Sequence, residues 1–110
     1  MDTESTKVIF RKWNKAIDKN QGIIAIFPEE IVTMSICNCD SWERVSEYGE
    51  TDFWSPCVPE VVIKGSKPAT ESEYLEDKTY LENHYGLNLK ILKRVPRTAI
   101  KVRRQNIAQL

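Results

Sequence analysis

Three cysteines and a single histidine are the side chains of this sequence best suited to chemistry. They are Cys37, Cys39, Cys57 and His84. Zinc takes four ligands of these types in a tetrahedron, so the set matches by number. The spacing matches less well, because a Cys-x-Cys pair is tighter than the usual two-residue gap. We therefore retain the four residues only as metal candidates and expect buried cysteines that pack as small apolar side chains.

Other catalytic arrangements find little support. A cysteine nucleophile needs a histidine within hydrogen-bonding reach, but His84 falls in the last turn of a predicted helix, where imidazoles often complement the dipole. The four glycines do not cluster into a phosphate-binding loop. The sequence predicts no catalytic residues, no cofactor and no enzymatic activity. A thiol-dependent or zinc-dependent enzyme stays as an alternative.

Aromatic side chains indicate a binding surface. The chain has three tryptophans and four tyrosines, and four of these residues exceed what a core of this size needs: Trp13, Trp42, Tyr48 and Trp54. Both residue types are enriched in protein interfaces. Trp42, Tyr48 and Trp54 lie among acidic residues, so we expect them to contact another protein, either a host protein or a second copy. Trp13 lies among basic residues and would suit stacking on nucleic-acid bases.

Charge is unevenly distributed although the formal net charge is zero. Residues 29–60 carry eight acids against Arg44, whereas residues 90–104 carry seven bases and no acid. Internal pairing would explain this pattern, but a nucleic-acid-binding module is an alternative. It requires the first and last strands to be neighbours. Its site would combine one tryptophan with eight bases: Lys7, Arg11, Lys12, Trp13, Lys93, Arg94, Arg97, Arg103 and Arg104.

Length and composition indicate one globular domain. The chain has 110 residues, of which 41% are hydrophobic and 29% charged. No apolar run approaches the roughly 18 residues that span a bilayer, so we expect no membrane association. The first residues do not resemble a signal peptide, and an odd cysteine count suits a reducing compartment. We expect a cytoplasmic protein.

Apolar and β-branched runs predict the strands that must position these residues. Residues 7–13 and 23–27 are expected to form a hairpin with a long loop, the second strand being buried on both faces. The alternation over residues 31–37 predicts a third strand, and residues 60–64 predict a short fourth strand. A short helix or turn is expected near residues 41–47.

The best-defined element is a helix over residues 70–85. Thr70 and Glu73 have the spacing of a capping box, and Gly86 stands where a left-handed C-terminal glycine is expected. One face of the helix carries apolar side chains: Tyr74, Leu81 and Tyr85.

A half-buried strand over residues 87–95 follows the helix and suits an antiparallel or edge position. The elements together predict an α+β fold. It is a mostly antiparallel sheet of four to five strands with one main helix packed on one face, in the order β-β-β-β-α-β. We expect a single domain over residues 1–96 and a basic C-terminal tail over residues 97–110.

Several stretches resemble a family of small uncharacterised proteins associated with bacteriophages and mobile elements. The motifs are VIFRKW, IIAIFPE, KPAT leading to Glu73-Tyr74, and Tyr85-Gly86 leading to the final strand. The resemblance covers roughly residues 7–95. That family tends to have a histidine-rich turn after its third strand, whereas residues 39–52 here contain no histidine.

The expected function is therefore a non-enzymatic binding or accessory protein acting through protein–protein contacts. The resemblance implies that a phage or mobile element encodes it and that it acts in the cytoplasm of a bacterial host cell.

Overall fold

A computed structural model describes residues 5–14, 22–31, 39–43 and 52–95. These residues form six strands and two helices. In chain order they are β1 (Thr6–Trp13), β2 (Ile23–Ile31), β3 (Cys39–Glu43), β4 (Phe53–Cys57), α1 (Pro59–Lys64), β5 (Ser66–Pro68), α2 (Glu71–Tyr85) and β6 (Leu89–Ile91). None of the helices in the described part is long and apolar enough to cross a membrane.

The strands form one mostly antiparallel sheet in the order β4-β3-β2-β1-β5. β1 and β2 make the predicted hairpin, with Ile9 opposite Ile26. β5 and β6 share the other edge of β1: β5 lies antiparallel beside its end, and β6 lies parallel beside its start. The α+β prediction is thus confirmed, including the main helix on one face, with six strands instead of four to five.

The sheet is covered on both faces. Because successive side chains of a strand point to opposite faces, β1 and β2 contribute to two apolar clusters. On the α2 side the buried cluster comprises Val8, Phe10, Ile23, Ala25, Phe27, Trp42, Leu81 and Leu89. On the α1 side it comprises Ile9, Ile24, Ile26, Cys39 and Val62. Residues 23–27 are therefore buried on both faces, as predicted.

The helix α2 begins and ends where the sequence predicts. The backbone amide and the hydroxyl of Thr70 both donate to Glu73 Oε1, each at 3.0 Å. At the other end Gly86 adopts the left-handed conformation, with φ of 67°. Leu81 is fully buried, and the ring of Tyr74 stacks on Phe10 at a centroid distance of 4.6 Å. Two of the three predicted apolar positions thus face the sheet.

The prediction of a strand over residues 60–64 is wrong, since this segment forms the short helix α1. Pro59 occupies the first helical turn, where its missing N–H costs nothing, and Glu60 complements the dipole there. Only Val62 of the apolar run is buried, as one turn of helix permits. The strand that precedes α2 in the chain is instead β5, which pairs with the end of β1.

Two predictions near the third strand also need correction. β2 continues through Pro28 to Ile31, and its register against β3 shifts between Phe27 and Ile31. Such an irregularity accommodates a proline, which cannot donate to the ladder. The rest of the strand predicted over residues 31–37 lies outside the described residues. Residues 41–43, predicted as helix or turn, belong to the strand β3.

The final strand is shorter than predicted and is parallel to its neighbour. β6 covers three residues of the predicted 87–95, and it lies at the edge of the sheet. The alternation is as expected, since Leu89 is buried and both Leu87 and Ile91 pack against the α2-side cluster. The predicted tail over residues 97–110 lies outside the described residues.

Candidate partner-binding site

Six aromatic rings come together where β2, β3 and β4 face the last two turns of α2. We call this set the aromatic cluster: Phe27, Trp42, Trp54, Tyr80, His84 and Tyr85. Adjacent antiparallel strands place Trp54 directly opposite Trp42. The helical spacing places Tyr80 and His84 one turn apart on α2. Strand pairing and helix periodicity therefore converge on one end of the molecule.

The rings of the aromatic cluster are stacked in two series. The Tyr80 ring lies between Trp42, at 5.8 Å between centroids, and His84, at 5.0 Å. The indole of Trp54 crosses β3 to stack on Phe27 at 5.5 Å. Tyr85 joins the series by meeting Trp54 edge-on at 5.4 Å, and its hydroxyl oxygen lies 3.2 Å from the indole nitrogen. Ring-to-ring contacts therefore orient each of these aromatic side chains in addition to any burial.

Asp52, the residue before β4, fastens the two series together. Its Oδ1 accepts a hydrogen bond from Trp42 Nε1 at 3.0 Å, and its Oδ2 accepts one from the Tyr80 hydroxyl at 2.7 Å. Tyr85 also donates to this carboxylate. Burial alone would raise the pKa of Asp52, but these hydrogen bonds and the nearby imidazole outweigh burial and hold the pKa below its ordinary value. The carboxylate therefore stays ionised.

A second carboxylate, Asp40, lies beside the aromatic cluster, and few contacts among the described residues offset the cost of its burial. It lies opposite Phe27 on β2 and Pro56 on β4, which makes Trp54 its diagonal neighbour on the same face. The Ser41 amide donates to Asp40 Oδ1 at 3.1 Å, but within the described residues no lysine or arginine reaches this carboxylate. Burial raises the pKa of Asp40, partly countered by that amide.

The structure separates the residues predicted to contact a protein partner. Trp54 is 38% exposed, on the outer strand β4, and Tyr85 beside it is 39% exposed. Trp42, in contrast, is fully buried. It packs in the core, so the prediction that it contacts a partner is corrected. Tyr48 lies outside the described residues. Of the two predicted residues that the structure describes, Trp54 lies at the surface and Trp42 in the core.

The basic residues predicted on β1 are engaged within the molecule. Lys7 pairs with Glu29 at 3.1 Å, and Lys12 pairs with Glu73 at 2.7 Å. Trp13 is half-buried and donates from Nε1 to Glu43 Oε1 at 2.9 Å. Lys7, Lys12 and Trp13 therefore already make contacts within the protein, and phosphates would have to compete with these contacts.

Arg11 is the clearest correction to the predicted basic site. It is buried, and its guanidinium donates to Ser66 Oγ, the Ser66 carbonyl and the Ile63 carbonyl. The distances are 2.9, 2.7 and 3.0 Å. Burial lowers its pKa, but the three acceptors suit a cation at the end of α1. Arg11 joins α1 and β5 to β1 and is unavailable to a polyanion.

The remaining bases of the predicted site lie after β6. Lys93 and Arg94 are exposed. The condition that the first and last strands be neighbours is met, because β6 pairs with β1 and sets Lys90 beside Lys7. Arg97, Arg103 and Arg104 lie outside the described residues.

The metal candidates are divided between the two faces of the sheet. Cys39 and Cys57 stand opposite each other on the α1 side, with their Sγ atoms 3.8 Å apart. His84 lies on α2, across the sheet from them, and Cys37 lies outside the described residues. Within the described part of the chain, no group of three histidine, cysteine or acidic side chains could hold a metal ion.

A cleft of about 420 Å³ opens at the edge of β1, between the part of β1 that pairs with β5 and the part that pairs with β6. Its walls are mainly apolar: Ile9, Phe10, Pro68, Ala69, Tyr74, Ile91 and Leu92. Arg11, Glu71 and Lys93 add charge, but the Arg11 guanidinium is already bonded to Ser66 and Ile63. The cleft therefore has a mainly apolar lining, with the charged side chains of Glu71 and Lys93 at its rim.

Sequence reasoning missed the acids and the helical rings of this site. Asp52 was one acid among eight in its region, and nothing in its neighbours indicated that it would reach Tyr80. The recurrence of Tyr80 and His84 at a spacing of four residues was a usable signal for an aromatic helix face. The apolar face formed by Tyr74, Leu81 and Tyr85 is a stronger helical pattern than this pair of rings, so the pair does not stand out in the sequence.

Comparison with known proteins leaves the site to be interpreted from its own geometry. A scan against protein-family models, a search of curated proteins and a search of solved structures each returned no match. The resemblance to phage-associated proteins therefore still depends on the sequence motifs alone.

Proposed function

We propose that this chain is a non-enzymatic binding module that captures a protein partner on Trp54 and Tyr85. The observation that carries the proposal is the contact between these two exposed rings. They are two of the four large hydrophobic side chains most exposed in the described residues, the others being Val61 and Leu75. Tryptophan and tyrosine in adjacent, preorganised positions are the side chains that most often dominate binding energy.

The charges around the rings favour a basic partner segment. Asp40 and Asp52 lie on the same side of the sheet as Trp54, and no described lysine or arginine pairs with either. Asp40 is partly desolvated, and the ion pairs among the described residues do not include it. A lysine or arginine placed there would pair with Asp40 and pack on the indole face of Trp54. We therefore expect the partner to insert a cationic side chain flanked by apolar residues.

A random peptide library displayed against the intact protein tests this proposal. Enriched peptides should carry arginine or lysine beside apolar residues. Trp54→Ala should weaken the selected peptides by about 30-fold, as expected for a residue that dominates an interface. Asp40→Asn should weaken them by about ten-fold, and the loss should shrink at high salt.

Val61→Ala is the matched control, because Val61 is more exposed than Trp54 but lies on α1, away from the cluster. It should leave affinity unchanged. Selected peptides that bind Trp54→Ala as tightly as the original chain would contradict the proposal. So would enrichment of acidic peptides. Thermal melting of each variant separates loss of binding from loss of folding.

Nucleic-acid binding is a second candidate, favoured by the pairing of β6 with β1. That pairing brings Lys90 into line with Lys7, and the exposed Lys93 and Arg94 follow. Phosphate contacts would make binding strongly salt-dependent. A labelled duplex should then bind at low salt and weaken in the variant with Lys93→Glu and Arg94→Glu. Lys67→Glu on β5 is the matched control, and no binding at low salt would remove this candidate.

A further inference from the structure

Two thiols face each other across the outer pair of strands. Cys39 on β3 and Cys57 on β4 are direct partners in the antiparallel register, and their Sγ atoms are 3.8 Å apart. Directly opposed residues of such a pair have Cα atoms about 4.5–5.5 Å apart, within the range of about 4.4–6.8 Å that a disulfide spans. The two sulfur atoms need to approach by less than about 2 Å to reach bonding distance.

We propose that Cys39 and Cys57 are a modification site, at which a small-molecule disulfide such as oxidised glutathione forms a reversible cross-strand bond. In the first step the Cys57 thiolate attacks one glutathione sulfur, a mixed disulfide forms, and one glutathione thiolate leaves. In the second step the Cys39 thiolate attacks the Cys57 sulfur and releases the second glutathione. The protein loses two protons and two electrons, and one oxidised glutathione becomes two reduced molecules.

The order of attack follows from the burial of the two side chains. Cys57 is half-buried on β4, the last strand of the sheet among the described residues, so a small reagent can reach its exposed part. Cys39 is fully buried between β2 and β4. A buried thiol is a poor target for a bulky oxidant but a good resolving group for a mixed disulfide beside it. Cys57 is therefore the entry point and Cys39 the resolving thiol.

The bond would fasten β4 to β3 close to the pair formed by Trp42 and Trp54. It would close the chain between residues 39 and 57 into a loop. A loop of that size constrains the unfolded chain enough to raise the melting temperature by roughly 10 °C or more. The reduced form regains the original melting temperature when a dithiol is added, so the change is reversible.

Oxidised glutathione added to the full chain, followed by mass analysis without reduction, tests the proposal. The intact mass should fall by the mass of two hydrogen atoms. Trypsin cleaves after Arg44, so residues 20–44 and 45–64 should appear joined and should separate on reduction. Because Cys37 and Cys39 share one of these peptides, the assignment needs the variant Cys37→Ser as well.

Cys37→Ser should form the same link and show the same rise in melting temperature, whereas Cys57→Ser should form neither. Loss of the link in Cys37→Ser would overturn the proposal, because the bond would then involve Cys37. A stable mixed disulfide with glutathione as the end product would also overturn it. These measurements need no substitution of the buried Cys39, so a misfolded variant cannot obscure the result.

Discussion

The Tyr80 hydroxyl donates a hydrogen bond of 2.7 Å to Asp52 Oδ2 and so ties the middle of α2 to the residue before β4. The other oxygen of the same carboxylate holds the buried Trp42 indole. One carboxylate therefore fixes the helix, the core and the exposed rings relative to each other. The hydrogen bonds of Asp52 therefore add to the backbone pairing of β3 and β4 in preorganising the site.

Asp52→Asn tests that role. An amide turns its N–H₂ group toward at least one of the three donors Trp42, Tyr80 and Tyr85, so at least one hydrogen bond is lost and the remaining ones are no longer charge-assisted. We expect the free energy of unfolding to fall by about 1–2 kcal/mol, measured by urea denaturation. Asp40→Asn is the matched control, with expected stability within about 0.5 kcal/mol of the original or above it. Equal losses in both variants would contradict the assignment.

Glu73 should control part of the acid response. The hydrogen bond from Lys12, followed by those from Thr70, lowers its pKa from the ordinary 4.5 to about 2. A depressed carboxylate pKa means that the unfolded chain binds the proton more readily. The stabilisation is therefore present above pH 4.5 and is lost as the pH falls toward 2. Glu73→Gln should flatten the decline of melting temperature over that range, and an unchanged decline would refute this.

Gly86 and Gly65 give a matched pair of glycine substitutions. Gly86 has φ of 67° and open space around it, so Gly86→Ala costs only the left-handed conformation, about 1–2 kcal/mol. At Gly65, which has φ of −90°, an added methyl group would meet the Trp13 ring at an ordinary 3.5 Å. Gly65→Ala should therefore be neutral or slightly stabilising in urea denaturation. The reverse order of the two variants would contradict both assignments.

Arg11→Lys tests whether the buried guanidinium is structural. Lysine keeps the charge but cannot reproduce the geometry that serves Ser66 and Ile63 together. Leaving buried carbonyls without donors should cost about 2–3 kcal/mol in the free energy of unfolding. Lys90→Met, at an exposed position of β6, should change stability by less than about 0.5 kcal/mol. A tolerated Arg11→Lys would show that these bonds are dispensable.

Local sequence signals predicted the elements whose boundaries are chemically marked. The helix α2 has an acid-rich capping start and a glycine end, and the apolar runs over residues 8–10 and 23–27 require burial, although β2 itself continues to Ile31. The segment over residues 60–64 lacked such a signal, because three β-branched residues fit one turn of helix as well as a short strand. Pro59 was the informative residue, since proline favours the first helical turn.

The candidate site was only partly predictable because it depends on long-range pairing. Trp54 and Tyr85 were both recognised as aromatic positions, but their contact follows from the register of β4 on β3 and from the placement of α2 over β2. Trp42 and Trp54 have similar sequence surroundings, yet one is core and the other surface. The difference arises because Trp42 is on an inner strand beneath α2, whereas Trp54 is on the outer strand.

The position of β1 constrains the order in which the chain can fold. β1 precedes the other described strands in the chain, and its partner β2 follows closely, so the hairpin of β1 and β2 can form early. The other edge of β1 accepts β5 and then β6, whose residues are made much later. Closing those long loops is entropically costly and slows folding. A truncated chain ending before Leu89 would leave the start of β1 unpaired and uncover part of the α2-side apolar cluster, so incomplete translation products should be targets for chaperones and prone to aggregation.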